Sequence, residues 1–300
     1  MQKMVFYFEN TKSRTGEVNE KATVHVTLDQ DFHVTKFDVE LDSIPGENLD
    51  GYEITPTFDA MNFDNNKTFY TDSNGLAMQK RVLNYRNYYD FDQAWSDSHH
   101  SGHNQNITGN YYPVNSAMTL KDGERQFTVL NDRTQGGSSL QNGRIEFMQH
   151  RRVPADDNKG VAEYLNERDT DGNGIRVPAS YYVQLGTLNN GSIQRRLQSK
   201  IDDNLQYMFT QSIESVHYEK TENDEFDYSS ALVQAGVSDT VKMITIPMAK
   251  GKFMMRLHNI ADLFDKDAET KTVNKTSVIE AMWKAGNINN EDASMGSYAV

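Results

Sequence analysis

Apolar and polar residues alternate along two segments near the start of the chain. Residues 36–41 alternate charged and apolar side chains, and this period of two predicts a strand with one buried face. Residues 23–28 alternate in the same way, and Asp29-Gln30-Asp31 supplies turn residues between the two segments. The pattern therefore predicts a β-hairpin over residues 22–41.

Dipeptides that favour turns mark further hairpins. Asp122-Gly123 suits the positive φ angles of a type I′ turn, and Asn142-Gly143 marks a second turn. Strand-like segments flank these turns and recur late in the chain, at residues 117–121, 124–130, 144–148, 242–246 and 253–257. Strands that are closely spaced by turn residues predict a sandwich of antiparallel sheets.

Helical patterns are fewer. Ser192 is suited to cap a helix whose apolar residues recur every three or four positions as far as Met208. A second helix is predicted to start at Thr276 or Ser277 and to include Trp283. Residues 90–110 are polar and rich in histidine without a clear period, which indicates a long loop.

Composition and charge exclude several classes of protein. The chain has 300 residues, of which 37% are hydrophobic and 24% charged. This composition predicts a sizeable core, and it argues against a disordered chain and against a membrane-spanning segment. The net charge of -13 argues against a nucleic-acid partner, because phosphate binding needs clustered Lys and Arg. With no cysteine, disulfides and thiolate metal sites are excluded within this chain.

Two features bear on location. The apolar stretch near the start is interrupted at Glu9 and Asn10, too early for a signal peptide, so none is expected in this chain. Four Asn-x-Ser/Thr sequons permit a luminal location without demonstrating it: Asn66, Asn106, Asn190 and Asn274.

Four segments in the middle of the chain carry a family resemblance. They are FYTDSNG at 69–75, GNYYPVN at 109–115, DRTQGGSSL at 132–140, and HRR at 150–152 followed by DDNKGV at 156–161. In order and spacing these segments resemble lysosomal-type α-mannosidases of glycoside hydrolase family 38. The best match covers 69–165, and weaker similarity extends from about 36 to about 258.

The resemblance implies that residues 1–300 form a C-terminal β-sandwich region of a larger enzyme. The expected fold is mainly β, a large antiparallel sandwich of the galactose-mutarotase-like supersandwich type with one or two short helices. The family's N-terminal barrel, which carries the zinc site and both catalytic carboxylates, is expected outside this chain. Neither a catalytic residue nor a metal ligand is therefore expected within it.

The implied activity is that of a retaining α-mannosidase acting on terminal α-D-mannose residues of N-glycan-derived oligosaccharides. The implied location is the lysosome or the secretory-pathway lumen, and the implied partners are the oligosaccharide and the barrel. The alternative is a non-catalytic sandwich that binds sugar or assembles with other chains, with aromatic residues stacking on pyranose rings. Its candidates are Tyr85, Tyr88, Tyr89 and Trp95.

Four residues are candidates for the rim of the active site or the interface with the barrel. The resemblance places Arg151 and Arg152 against the barrel, at the edge of the sugar site, where an Arg contacts mannose, braces the catalytic loop or forms an interdomain salt bridge. Asp156 and Asp157 are the obvious local carboxylate pair. Neighbours in sequence rarely face the same point, so we expect them to support a loop rather than to catalyse.

Two metal-like patterns are interpreted as loops. His99, His100 and His103 have a spacing that suits zinc only on a helix, and their neighbours are loop-like. Residues 169–174 copy the first half of a calcium-binding EF-hand loop, but Ser180 stands where the essential Glu is needed. A polar hairpin tip between residues 163–168 and 181–185 is predicted instead.

Overall fold

A computed structural model describes residues 2–9, 21–29, 34–44, 51–86, 107–156, 158, 160, 163–188, 191–203, 240–248 and 253–261. The chain divides into two compact units, Met1–Asp202 and Asp203–Val300. Within the described residues, no helix has the length and hydropathy needed to cross a membrane.

The first unit contains fourteen strands and one α-helix among its described residues. The strands are β1 Gln2–Glu9, β2 Lys21–Asp29, β3 Val34–Leu41, β4 Tyr52–Ile54, β5 Thr57–Asp59, β6 Thr68–Ser73, β7 Ala77–Val82, β8 Tyr112–Val114, β9 Ala117–Lys121, β10 Arg125–Asn131, β11 Gln135–Ser138, β12 Arg144–Phe147, β13 His150–Arg152 and β14 Ala179–Thr187. Helix α1 spans Gly191–Asp202. The second unit contains β15 Val241–Pro247 and β16 Phe253–Asn259.

The strands of the first unit form two main sheets. The large sheet has the order β1-β2-β3-β14-β10-β9-β6-β7, and the small sheet has the order β5-β12-β11-β8. All strand pairs in both sheets are antiparallel. The mainly β, antiparallel sandwich expected from the sequence is therefore confirmed.

The main core lies between these two sheets. Phe69, Leu120 and Val129 come from the large sheet, while Ile145 and Phe147 come from the small one, and all belong to one buried cluster. Tyr181 of β14 lies in the same cluster, with its ring centroid 5.3 Å from that of Phe147. Burial of several aromatic rings holds the layers together.

Four of the predicted hairpins are confirmed. Strand β2 pairs with β3, β9 with β10, β11 with β12 and β15 with β16. The predicted type I′ turn at Asp122-Gly123 is wrong, because neither residue has a positive φ. The Asp122 carboxylate instead accepts hydrogen bonds from the backbone amides of Glu124 at 3.0 Å and Arg125 at 2.6 Å, which closes the turn from the side chain.

The predicted first helix is present as α1. Its Leu197 packs against Ala117 and Leu130 of the large sheet, on the face opposite the sandwich core. This apolar contact explains why the periodic segment is helical here. Leu205 and Met208, the predicted second helix and residues 90–106 of the predicted loop lie outside the described residues, whereas Thr108–Asn110 at the end of that loop form a short 3-10 helix.

Glycines in β11 allow the small sheet to pack closely. A Cβ at Gly137 would lie 2.8 Å from the Val114 side chain, and one at Gly136 would lie 2.7 Å from Met148. Both distances are shorter than normal carbon contacts. The adjacent glycines therefore serve close packing.

Gly143 provides a first stability prediction. Its φ is +75°, and a Cβ there would lie 2.7 Å from the backbone oxygen of Ala60 and 3.0 Å from that of Phe63. We expect Gly143→Ala to lower the free energy of unfolding by about 2 kcal/mol, from backbone strain and contact with immobile carbonyls. Urea unfolding of the 300-residue chain measures the change.

Gly123→Ala is the matched control, since Gly123 has no atom within 4 Å of an added Cβ and no positive φ. That variant should unfold within about 0.5 kcal/mol of the parent chain. Equal stability of the two variants would contradict the predicted strain at Gly143.

Candidate functional site: the outer face of the small sheet

Strand β13 carries the His150-Arg151-Arg152 segment along the edge of the sandwich. It pairs with β4 in antiparallel register, which places Arg151 directly opposite Glu53. Successive residues of a strand point to opposite sides. Arg151 is accordingly exposed and Arg152 is buried, so the two arginines have different surroundings.

Arg152 is held inside the first unit. Only 6% of the residue is exposed. Its Nε donates a hydrogen bond to Oδ1 of Asn166 at 2.9 Å, and its Nη1 donates to the carbonyl oxygen of Ile44. Gly174 lies against the guanidinium, where a Cβ would come within 2.6 Å of Nη1. Arg152 therefore joins three segments that are distant in sequence.

Arg151 lies beside a group of polar residues that we call the rim patch: Glu53, Tyr111, Glu146 and Arg151. The Tyr111 hydroxyl donates a hydrogen bond to Oε1 of Glu146. Glu146 projects from the outer face of the small sheet, since Ile145 and Phe147 on either side of it point into the core. The patch therefore includes residues of both the small sheet and the β4–β13 pair, and the charge of Glu146 acts on Glu53.

Burial and neighbouring charges shift two pKa values in the rim patch. Partial burial raises the pKa of the Glu53 carboxyl, Glu146 raises it further, and Arg151 opposes both by stabilising the ionised form. Burial also raises the pKa of the Tyr111 hydroxyl, and its hydrogen bond to Glu146 adds to the effect. Tyr111 therefore remains a proton donor to the carboxylate at physiological pH.

The arrangement suits binding of a polar or charged group. Within the residues that the structure describes, the Arg151 guanidinium forms no ion pair at salt-bridge distance. Its planar set of donors matches a carboxylate, and it equally suits neighbouring hydroxyl groups. The patch thus presents an exposed cation beside two carboxylates on an open sheet surface.

The two aspartates of the candidate set differ in how far the structure describes them. Asp156 is half-buried, and its Oδ2 accepts a hydrogen bond from the backbone amide of Asn158 at 3.1 Å. This contact stabilises a local turn. Asp157 lies outside the described residues.

The polar segment after Arg168 forms a tight turn. Oδ1 of Asp169 accepts backbone hydrogen bonds from Asp171 at 3.0 Å and Asn173 at 2.8 Å, and a bridge between Arg168 and Gly174 closes the loop. The predicted hairpin around this tip is wrong. Residues 163–168 form no strand, and Tyr181–Leu185 pair with β3 and β10 instead, because those partners bury Tyr181 in the core.

Among the described residues, no three His, Asp or Glu side chains lie close enough together to hold a metal ion. His99, His100 and His103 lie outside the described residues, as do Tyr88, Tyr89 and Trp95 of the aromatic group, whereas Tyr85 is described and exposed.

Three residues of the rim patch were not predicted as site residues from the sequence. Tyr111 belongs to a recognised family segment, and Glu146 occupies an outward position of a predicted strand, so each carried a weak local signal. Glu53 carried none. Only the pairing of β4 with β13 brings it opposite Arg151.

The fold and the rim patch together define an all-β domain of the two-layer antiparallel sandwich class, with a polar surface at the edge of its small sheet. Comparison of the sequence with family models identifies the family. The model described as "Glycosyl hydrolases family 38 C-terminal domain" matches residues 10–159, which is half of the chain. The chain belongs to this family.

Several curated relatives align with the same region. The lysosomal alpha-mannosidase of Bos taurus is 41% identical over 134 residues, which cover 45% of this chain and 12% of that protein. The alpha-mannosidase of Canavalia ensiformis is 32% identical over 224 residues, covering 71% of this chain and 21% of that protein. The chain therefore spans only a small part of the length of the relatives it matches.

Proposed function

We propose that this chain is the C-terminal β-sandwich part of a retaining α-mannosidase that releases terminal α-D-mannose from N-glycan-derived oligosaccharides. The observation that carries the proposal is the family match over residues 10–159, which contains most of the sandwich and its rim patch. The names of the aligned relatives support the substrate class.

The chain's own part in the reaction is that of scaffold and rim. Retaining glycosidases need two carboxyl groups about 5 Å apart on either side of the scissile bond. Glu53 and Glu146 are neighbouring carboxylates, but they lie on an open sheet face and Tyr111 already donates a hydrogen bond to Glu146. We assign the nucleophile, the acid/base and the zinc ligands to the family's barrel, outside these 300 residues.

Arg151 is the residue of this chain that we place nearest the sugar site. It is exposed, and its planar guanidinium is oriented beside Glu53 at the edge of the sheet. A guanidinium in this position can brace a carboxylate of the catalytic loop or bind a mannose hydroxyl. Arg152 supports this strand from inside. The lysosomal names of several relatives support a luminal location for the complete enzyme.

An activity assay of the isolated chain tests the assignment of the catalytic groups to the barrel. Purified and assayed with zinc and a chromogenic α-mannoside at mildly acidic pH, it should show no turnover, because it lacks the nucleophile and the proton donor. A far-UV spectrum dominated by β structure shows that the chain has folded.

The complete enzyme, assayed in parallel, should release mannose. If it failed to do so, the proposed function would be wrong. Turnover by the isolated chain that is lost on Asp156→Asn, Asp157→Asn or Glu53→Gln would instead place the catalytic centre within this chain.

A further inference from the structure

The turn before β6 presents one asparagine to solvent and buries its neighbour. Asn65 is only 3% exposed, and its side chain holds the turn together. Its Nδ2 donates to the carbonyl oxygen of Thr68 at 2.8 Å, and its Oδ1 accepts from the amide of Gly143 at 2.7 Å. Asn66, the next residue, is exposed.

The hydrogen bonds of this turn use the backbone of Asn66 and not its side chain. Its amide donates to Oδ1 of Asp64 at 2.9 Å, and its carbonyl accepts from the Thr68 hydroxyl at 3.3 Å. The φ of Asn66 is +47°, in the left-handed region that asparagine tolerates. The turn is thus maintained without the Asn66 side-chain amide.

Asn66-Lys67-Thr68 is also an N-glycosylation sequon, with a threonine two residues after the acceptor and no proline between them. We propose that Asn66 is an N-glycan acceptor of this protein. The donor is an oligosaccharide linked to a polyprenyl pyrophosphate. A bond forms between Nδ2 of Asn66 and the anomeric carbon of the first sugar, the bond from that carbon to the pyrophosphate oxygen breaks, and one amide proton is released.

The folded turn can accommodate the attached sugar. Because the core contacts of the turn are made by Asn65 and Phe63, a bulky group on Asn66 extends into solvent without displacing buried atoms. Lys67 and Asp64 on either side are exposed as well. The modification therefore costs no packing.

The glycan would also stay away from Arg151. The Asn65 turn contacts Gly143, immediately before β12, whereas Arg151 follows the other end of that strand. Four strand residues advance the chain by roughly 13 Å, and three more residues separate Phe147 from Arg151. We expect the glycan to leave the Arg151 surface open. The proposal requires the luminal location but not the mannosidase activity.

The test uses the complete enzyme from eukaryotic cells that deliver it to the secretory pathway. Peptide N-glycosidase treatment in heavy-oxygen water, followed by peptide mass spectrometry, should convert Asn66 to labelled aspartate. Asn66→Gln and Thr68→Ala should each remove one glycan from the intact mass, whereas Thr68→Ser should retain it. Turnover of an α-mannoside by Asn66→Gln should match that of the parent enzyme.

Asn62→Gln is the matched control, since Asn62 is exposed and left-handed but lies outside any sequon. It should leave the glycan count unchanged. An unmodified Asn66, whether other sequons are occupied or not, would overturn the proposal. Because occupancy is measured by mass, its failure is distinguishable from a failure of the proposed activity.

Discussion

Replacing Asp72 by Ala is expected to lower the free energy of unfolding by about 4 kcal/mol, more than the other substitutions considered for the sandwich. Asp72 is 5% exposed, and its carboxylate accepts four backbone hydrogen bonds. Oδ1 accepts from the amides of Asn115 and Ser116 at 2.8 Å and of Ala117 at 3.1 Å, and Oδ2 accepts from Gly75 at 2.8 Å. Alanine would leave these amides without acceptors.

The magnitude follows from where the donors lie. Ser116 and Ala117 are buried, so water cannot replace the lost acceptor at their amides, and each unsatisfied buried group costs about 1–3 kcal/mol. The same carboxylate joins the β6–β7 turn to the start of β9. Its loss should therefore loosen one edge of the large sheet.

Two further variants sharpen this test. Asp72→Asn keeps one carbonyl oxygen but turns an NH₂ group toward the Gly75 amide, so a smaller loss of about 2 kcal/mol is expected. Ser73→Ala, at an exposed neighbouring position, should cost less than about 0.5 kcal/mol. Urea unfolding of the 300-residue chain measures all three, and an Asp72→Ala variant as stable as Ser73→Ala would show that the amides find other partners.

Arg151→Ala in the complete enzyme is expected to reduce kcat/KM about 100-fold while its melting temperature stays near that of the parent. The exposed guanidinium makes no described ion pair within this chain, so its removal costs little stability. Under the proposed function it positions a group at the sugar site. Misplacement of a reacting group by a small distance is enough for such a loss.

Arg152→Ala should behave in the opposite way. Removing this buried guanidinium leaves the Ile44 carbonyl without its donor and creates a cavity beside Gly174, so stability should fall by about 3 kcal/mol. The loss of activity should then follow the fraction unfolded. Thermal unfolding and steady-state kinetics of the two variants, measured together, separate these effects.

Arg133→Ala is the matched control for an exposed arginine, since it lies on the surface beside Asp132. It should change neither kcat/KM nor stability appreciably. Normal turnover by Arg151→Ala would show that Arg151 is part of the scaffold and does not reach the sugar site.

Local features of the sandwich were predictable from sequence, while the chemistry of some turns was not. The hairpin around Asp122-Gly123 was predicted from its flanking strand patterns. Its turn type was predicted incorrectly, because hydrogen bonds to the Asp122 carboxylate close the turn without the positive φ angles of a type I′ turn. The turn between β6 and β7 contains Asn74 and Gly75, both with a positive φ, and Oδ2 of Asp72 accepts a hydrogen bond from the Gly75 amide. The three additional amides bound by Asp72 come from a segment more than 40 residues later.

The sequence by itself determined about half of the described strands, four of the hairpins, the first helix and the family, because periodicity and motifs are properties of neighbouring residues. Only the tertiary structure decided that Arg151 faces outward beside Glu53 while Arg152 is buried, and that Tyr181 is paired with Phe37 rather than with residues 163–168. Such pairings join distant strands. They are selected by which register buries the aromatic core and satisfies the backbone, a condition that no local stretch of sequence contains.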